Sequence, residues 1–444
     1  MRRDLIREVA LLAAPAAIQA LLTVVIFFTD RLLLGRYDSA ALGSMQISGP
    51  VLWSVFSVCG AFCAGLLAVV GRSIGAEDRE RATKAVWASF AFSVLTGVVI
   101  GLLCWYTRDL IAELMTKGDE AKDIQALAST YMGIVLVATP LTLLGAASTV
   151  TLQAAGDTKT PMWISAICGG ANLLLSWVLI YGLFGFPELG IVGAALGTLV
   201  SFLLLPTISI AVLMLRKSGF RLVGHRAIDL EALKAVLRVA KAAYGEKIVF
   251  HTAFLIFAGY VGHLGAVEMA ANQVLIAIES LGFIVGGAFS IAGGALVAQK
   301  LGAKRPDEAQ ACGWISAALG TSALLCGSII FVLFAEPLVA FVDPNPEVVA
   351  LGVPCLLVAA VAQPFMAIAD ALSGSLRGAG DTRSPLLAAL VGPCVVRLTF
   401  CWWLAFQMNL GLLGIWMGTT LDWITRAAFL SLIFRRGDWK HAEV

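Results

Sequence analysis

Four carboxylates stand in stretches where nearly every neighbour is apolar. Glu246 lies in RVAKAAYGEKIVFHT, Glu279 in LIAIESLGFIVGGA, Asp370 in QPFMAIADALSG and Asp30 in FFTDRLLLGR. An ionised side chain in hydrocarbon costs roughly 3 kcal/mol or more, so such a group is a functional candidate by default. A carboxyl group sheltered from water can hold a proton or a small cation, and its anion attracts a cationic ligand. One charge can then serve two cargoes in turn. Four more polar side chains share these surroundings: Asn172 in NLLLSWVLIYG, Arg397 in VVRLTF, and Asp422 with Arg426 in LDWITRAA. Asp422 and Arg426 are four residues apart and share a helix face, which reads as a packing pair of Asp422 with Arg426 or with Arg397.

The elements that must carry these groups follow from composition. The chain has 444 residues, of which 59% are hydrophobic and 14% charged. A soluble domain carries about 25% charged residues, so too little polar surface is present to cover a soluble particle of this size. Apolar runs of about 20 residues, the length that crosses a bilayer as a helix, recur throughout. The expected fold is all-α and polytopic, with spans near 9–34, 44–71, 85–106, 129–153, 160–184, 190–215, 236–262, 270–299, 311–335, 349–376, 384–407 and 411–434. The first run continues too far for a signal-peptide core and reads as a retained span. The net charge of +2 gives no reason to expect a nucleic-acid partner. The nine cysteines form no CxxC pair and read as small apolar residues. No H-E-x-x-H, no G-x-S-x-G with partner residues and no metal-spaced His/Cys cluster is present, so neither an enzyme nor a resident cofactor is expected.

Lys and Arg set the orientation. If both termini and the connections after the even-numbered spans share one side, the other side holds only Arg36, Arg108, Lys117 and Lys122 of the 31 basic residues, four more lying within or beside spans. The positive-inside rule then places both termini in the cytoplasm. The polar stretch 216–235 divides the chain into lobes at 1–215 and 236–444.

The two lobes repeat one another. LQAAGDTKTP at 152–161 returns as LRGAGDTRSP at 376–385, 224 residues on. GAFCAGLLAVVGRSIGAEDRERA at 60–82 aligns with GAFSIAGGALVAQKLGAKRPDEA at 287–309, and GIVGAALGT at 190–198 with GLLGIWMGT at 411–419. Six spans per repeat run both lobes in the same direction, so a pseudo-twofold along the membrane normal is expected. The doubled Gly-Asp stretch reads as a turn that each lobe needs. Through the repeat, Glu246 falls on Gln19 inside span 1, which places Glu246 at depth and facing the cavity. Read alone, it fits the polar end of span 7, paired with Lys247. Glu279 reads equally as a structural hydrogen-bond donor or as part of a cluster with Glu246. Asp30 has Arg31 beside it, so pairing or snorkelling competes with function there.

The chain resembles the multidrug and toxic compound extrusion (MATE) family of secondary antiporters. TDRLLLGR at the end of span 1, AQPFMAIADALSGSLRGAGDTRSP in span 10 and its turn, and the paired segments after spans 2 and 8 carry the resemblance. It implies two six-helix lobes in a V, exporting cationic or amphipathic organic compounds against inward protons or sodium. It implies coupling through a span-7 acid at Glu246, a span-10 aspartate at Asp370 and a span-1 aspartate at Asp30, with sodium, if used, at Glu246 and Asp370. Some members pair the span-1 aspartate with a second one in span 5. Here Asn172 is present, but Ser176 takes the second acidic position, so the second lobe looks better supplied. Pro15 and Pro364 are plausible hinges. The expected unit is a monomer in the cell membrane. The competing reading is a lipid-linked glycan flippase of the same broad superfamily, which usually offers several cationic side chains to a diphosphate.

Overall fold

The computed structural model describes residues 2–115, 122–215, 220–223 and 229–442; Lys117 and much of 216–228 lie outside them. No strand occurs among the described residues. Spans 1 to 3 are Arg2–Tyr37, Ser39–Gly75 and Arg79–Leu114. Span 4 is a pair of helices, Lys122–Val137 and Thr139–Ala154, bent by 53°. Spans 5 to 8 are Lys159–Tyr181, Ile191–Leu215, Leu230–Leu264 and Ala266–Gly302; spans 9 to 11 are Pro306–Leu333, Pro346–Gly378 and Arg383–Gln407. Span 12, Gly411–Arg436, carries Asp422 and Arg426 near its middle. The arrangement is the expected one of twelve helices in two lobes.

Local chemistry explains the irregularities. Pro140 opens the second half of span 4, where it cannot donate the hydrogen bond a continuous helix needs, and the helix bends there. Span 11 widens into π-helical turns at Leu390–Arg397, around Pro393, and at Trp403–Gln407. Spans 1 and 10 run unbroken through Pro15 and Pro364. Span 7 begins at Leu230 rather than near 236, because the Asp229 carboxylate caps it, accepting from the N–H groups of Glu231 and Ala232 at 3.0 Å. The Ala232 N–H, with that of Glu231, holds this carboxyl below its ordinary value.

Buried side chains form four clusters, two in each half. The starts of spans 1 and 7 exchange places between them. Leu5, Val9, Leu12 and Ala13 pack into a cluster of the second half, while Val236 and Ala240 pack into one of the first. Val9 and Val236 are repeat mates, 227 residues apart, so the exchange obeys the pseudo-twofold. That axis passes where spans 2 and 8 meet. A Cβ on Gly71 would stand 2.6 Å from the Cβ of its own mate, Ala298, and one on Gly294 would stand 3.0 Å from its mate Leu67.

The doubled turn is built from four matched devices. Gly156 and Gly380 take positive φ, 81° and 89°. Asp157 accepts from the Thr160 N–H and hydroxyl at 2.9 and 2.6 Å, and Asp381 from those of Ser384 at 3.1 and 2.5 Å. The Thr158 hydroxyl donates to the Leu12 carbonyl at 2.8 Å, and Thr382 does the same to Val239. Finally, each turn receives a donor from across the lobe boundary. Gln299 Nε2 reaches the Ala154 carbonyl at 2.7 Å, and its repeat mate Arg72 reaches the Ala379 carbonyl at 2.7 Å. Arg72 also donates to the Ala442 carbonyl at 2.8 Å, in a tail anchored by buried Trp439 stacked on Phe434. The repeat thus writes the seam that joins the lobes on the side of the termini.

Candidate functional site

One turn inward from that seam lies a cavity of about 210 Å³, walled by both lobes. Spans 2 and 4 contribute Gly60, Ala61, Cys63, Ala64, Leu67, Val150 and Gln153; spans 7, 8 and 10 contribute Ala243, Glu246, Lys247, Ser290, Ile291, Gly374 and Arg377. Glu246 lies on the cavity wall, partly buried. Its partner is not Lys247 but Arg377, whose Nη2 and Nε donate to its two oxygens at 2.6 and 3.2 Å. Lys247 lines the same cavity and sits within electrostatic reach of Glu246, Arg377 and Asp370.

Asp370 lies against Gly286 of span 8, where a Cβ would come within 2.7 Å of its Oδ2. Its cationic surroundings are Arg426, Arg377 and Lys247. Deeper in the second lobe, Asp422 is fully buried and holds two arginines at once. Arg397 Nη2 lies 2.7 Å from Oδ2, and Arg426 binds both oxygens at 2.8 and 2.9 Å. Arg426 also stacks 3.5 Å over the Trp423 ring. Glu279 belongs to this group, within reach of Arg397, Arg426 and Asp422. One Glu279 oxygen is buried without a hydrogen-bond partner among the described residues. Four carboxylates and four cations, Lys247, Arg377, Arg397 and Arg426, thus form one belt across the second lobe.

Removing one member of a buried pair leaves a charge without compensation, at about 3–5 kcal/mol, whereas replacing the whole set by apolar side chains is often neutral or stabilising. Asp422→Asn is expected to lower the thermal unfolding temperature sharply in detergent. Changing Asp422, Arg397 and Arg426 together to leucine and methionine is expected to restore most of it.

Asp30 is set apart in the first lobe and is 7% exposed. Its partners are neutral. Asn172 orients its amide so that the nitrogen donates to both Asp30 oxygens at 3.2 Å while the oxygen accepts from the Thr198 N–H at 3.1 Å. Ser176 stands beside the carboxyl group, and Tyr131 closes the site against Thr198 at 3.4 Å. Ser176 thus occupies the expected second acidic position with a hydroxyl. Between the lobes, His251 of span 7 meets Trp53 edge-on at 4.5 Å and the Ser54 hydroxyl at 3.3 Å.

Sequence reasoning placed Glu246, Asp370 and Asp30 in their spans but missed the partners that decide their chemistry. Arg377 was in plain view as the mate of Gln153 in the doubled turn, and that correspondence predicts that both face the lobe boundary. Tyr131 and Thr198 carried no comparable signal.

The MatE family model matches this chain twice, over residues 15–178 and 242–403. The chain belongs to the MatE family. The two matched segments reproduce the internal repeat. Among curated proteins it is similar to a probable multidrug resistance protein NorM of Thermotoga maritima, 29% identical over 447 residues that cover 100% of this chain and 94% of that one. A probable NorM of Burkholderia pseudomallei is 28% identical over 97% of this chain and 92% of its own. Among solved structures, one described as an outward-facing multidrug resistance MATE family transporter superposes with a TM-score of 0.91 at 19% identity, covering 99% and 97% of the two chains. A MOP superfamily transporter from Pyrococcus furiosus, described as having a binding pocket of reverse polarity, gives 0.90 at 19% identity over the same shares. The family and its fold are thereby established.

Proposed function

We propose that this MatE protein exports amphipathic organic compounds across the cell membrane in exchange for protons, by alternating access, with both termini in the cytoplasm. The observation that carries the reading is Asp30: a carboxyl group buried in the first lobe whose partners are all neutral. Ionising it there without a counter-charge costs several kcal/mol, and taking up a proton removes that cost. An exchangeable proton at Asp30 can bias the two lobe arrangements only by its different affinity for each.

Three further observations support the reading. The relatives are described as multidrug resistance proteins. The cross-lobe hydrogen bonds of Arg72 and Gln299 lie on the termini side, as an outward-facing state requires, and the similar structure so described has that orientation. The excess of Lys and Arg lies on the same side. Proton is favoured over sodium by chemistry. Both Glu246 oxygens are taken by Arg377, and Lys247 and Arg426 face Asp370, so a sodium ion at Glu246 and Asp370 would meet cations on every side. Among the described residues no group of three or more His, Cys, Asp or Glu gathers as a ligand set.

The test is purified protein in liposomes, loaded with a fluorescent organic cation, under a pH gradient or a sodium gradient imposed separately. Export driven by the pH gradient and indifferent to sodium is expected. No flux under either gradient would refute antiport. Translocation of a lipid-linked sugar diphosphate by the same vesicles would favour the flippase reading instead.

A further inference from the structure

Three of the four basic residues on the side opposite the termini, Arg108, Lys117 and Lys122, fall within 108–122, a stretch that also holds Asp109, Glu113, Asp119 and Glu120. Lys and Arg are sparse on that side, so their gathering at one connection, among acids, calls for a reason. Where spans 3 and 4 meet there, a groove of about 550 Å³ is lined by Trp105, Arg108 and Asp109 of span 3 and by Ser129, Thr130 and Gly133 of span 4. Trp105 and Tyr106 are both exposed at this level, as aromatic side chains are where a bilayer meets water.

The groove holds a cation and an anion that are not closed onto each other. Arg108 is kept low: its Nη1 donates to the Trp105 carbonyl at 2.9 Å, and its guanidinium lies 4.2 Å from the centre of the Trp105 ring. Gly133 leaves it room, since an added Cβ would stand 3.3 Å from Arg108 Nε. Asp109 accepts from the Ser129 hydroxyl through Oδ1, while Oδ2 stands 3.8 Å from Arg108 Nη2, too far for a hydrogen bond. The Asp109 side chain is 71% exposed. The Thr130 hydroxyl spends its proton on the Ala126 carbonyl at 2.7 Å and so presents only its oxygen as an acceptor.

The geometry points to a binding site for the phosphoethanolamine headgroup of a phospholipid in the leaflet opposite the termini. Arg108 takes the phosphate, for which a guanidinium is well suited. Asp109 and the Thr130 oxygen take the ammonium, whose N–H groups need acceptors. A choline headgroup has no N–H to offer, and the Trp105 ring that could receive its cation is already covered by Arg108. A purely anionic headgroup would meet the Asp109 carboxylate. The acyl chains have a path as well. One turn deeper than the groove, Leu102 of span 3 and Val137 of span 4 are each 63% exposed, an apolar continuation that a soluble phosphoamine would not use.

Native mass spectrometry of the purified full-length chain tests this. The delipidated protein in detergent is offered an equimolar mixture of phosphatidylethanolamine, phosphatidylcholine and phosphatidylglycerol with identical acyl chains. Wild type is expected to carry phosphatidylethanolamine about 10-fold over either competitor in its first lipid adduct. Arg108→Gln is expected to lower that adduct by about 10-fold. Asp109→Asn, at an exposed position where folding is not at stake, is expected to bring phosphatidylglycerol to within about 2-fold of phosphatidylethanolamine or above it. Arg36→Gln, a change of charge elsewhere on the same side, is expected to keep the wild-type pattern. Equal ethanolamine and choline adducts in wild type overturn the inference, and so does an ethanolamine preference that survives Asp109→Asn. An adduct of glycerophosphoethanolamine, which lacks acyl chains, as abundant as that of the lipid at the same concentration would assign the groove to a soluble ligand and overturn the lipid.

Discussion

Asp30→Asn is expected to lower pH-gradient-driven export by at least about 10-fold while leaving dye binding at fixed pH within about 2-fold of wild type. The argument begins with shape. Asparagine has nearly the same volume as a protonated aspartic acid and still offers an oxygen to Asn172. The variant therefore imitates one protonation state and is denied the other. Asp30 has no cationic partner among its neighbours, so in the wild type the gain or loss of its proton changes the charge of the whole site. A tenfold change in the ratio of two lobe arrangements needs a difference of only about 1.4 kcal/mol. Losing or gaining an uncompensated charge in a buried site exceeds that comfortably. The second lobe is different. Glu246 and Asp422 are each held by arginine ion pairs, so neutralising either of them chiefly unbalances the belt and destabilises the fold. Initial rates in proteoliposomes, with equilibrium binding measured beside them, separate the two outcomes. Full-rate uphill export by Asp30→Asn would falsify the assignment of coupling to this residue.

The contrast between the lobes also explains what could be read from the sequence. Twelve spans, the direction of the lobes and the doubled turn follow from apolar length, basic-residue asymmetry and self-similarity, all local or periodic signals. The span-7 and span-10 acids were visible for the same reason: a charge in an apolar run stands out. The partner of Glu246 was hidden because Arg377 sits close to the end of a span, where a basic residue usually needs no explanation, while the adjacent Lys247 offered itself instead. That Arg397 and Arg426 lie within reach of Glu279 was hidden because sequence distance gives no hint that spans 11 and 12 bring them to it. The π-helical turns of span 11 likewise leave no periodic trace in eight residues. The seam itself was legible in half. The repeat announced that both turns mattered, but the donors that cross to them, Arg72 and Gln299, are chemically unlike and occupy matching positions only once the halves are aligned.

Gly302→Leu is expected to cut export by about 10-fold or more and to expose the seam, which follows from the closest approach of the two lobes. Gly302 ends span 8, and a Cβ placed on it would overlap the carbonyl oxygen of Arg72; its mate Gly75 meets the Gln299 carbonyl oxygen in the same way. Both obstacles are main chain, so no rotamer change relieves them. Spans 2 and 8 must part by the thickness of a side chain, and when they do, Arg72 and Gln299 lose their reach to the Ala379 and Ala154 carbonyls. The cost falls on one arrangement of the lobes. Alternating access requires spans 2 and 8 to separate at this level in the arrangement open toward the termini, where an added side chain would meet no backbone. A penalty confined to one state shifts the equilibrium by its full amount, and a transporter held in one state does not cycle. Hydrogen–deuterium exchange at 152–158 and 376–382 reports the seam directly, because those turns lose their cross-lobe donors when it opens. Faster exchange in both turns, with unchanged exchange in the middle of span 5 and a monodisperse protein, is the expected result. Export and exchange both at wild-type levels would mean that the lobes do not have to close here, and the alternating-access reading of the seam would have to be abandoned.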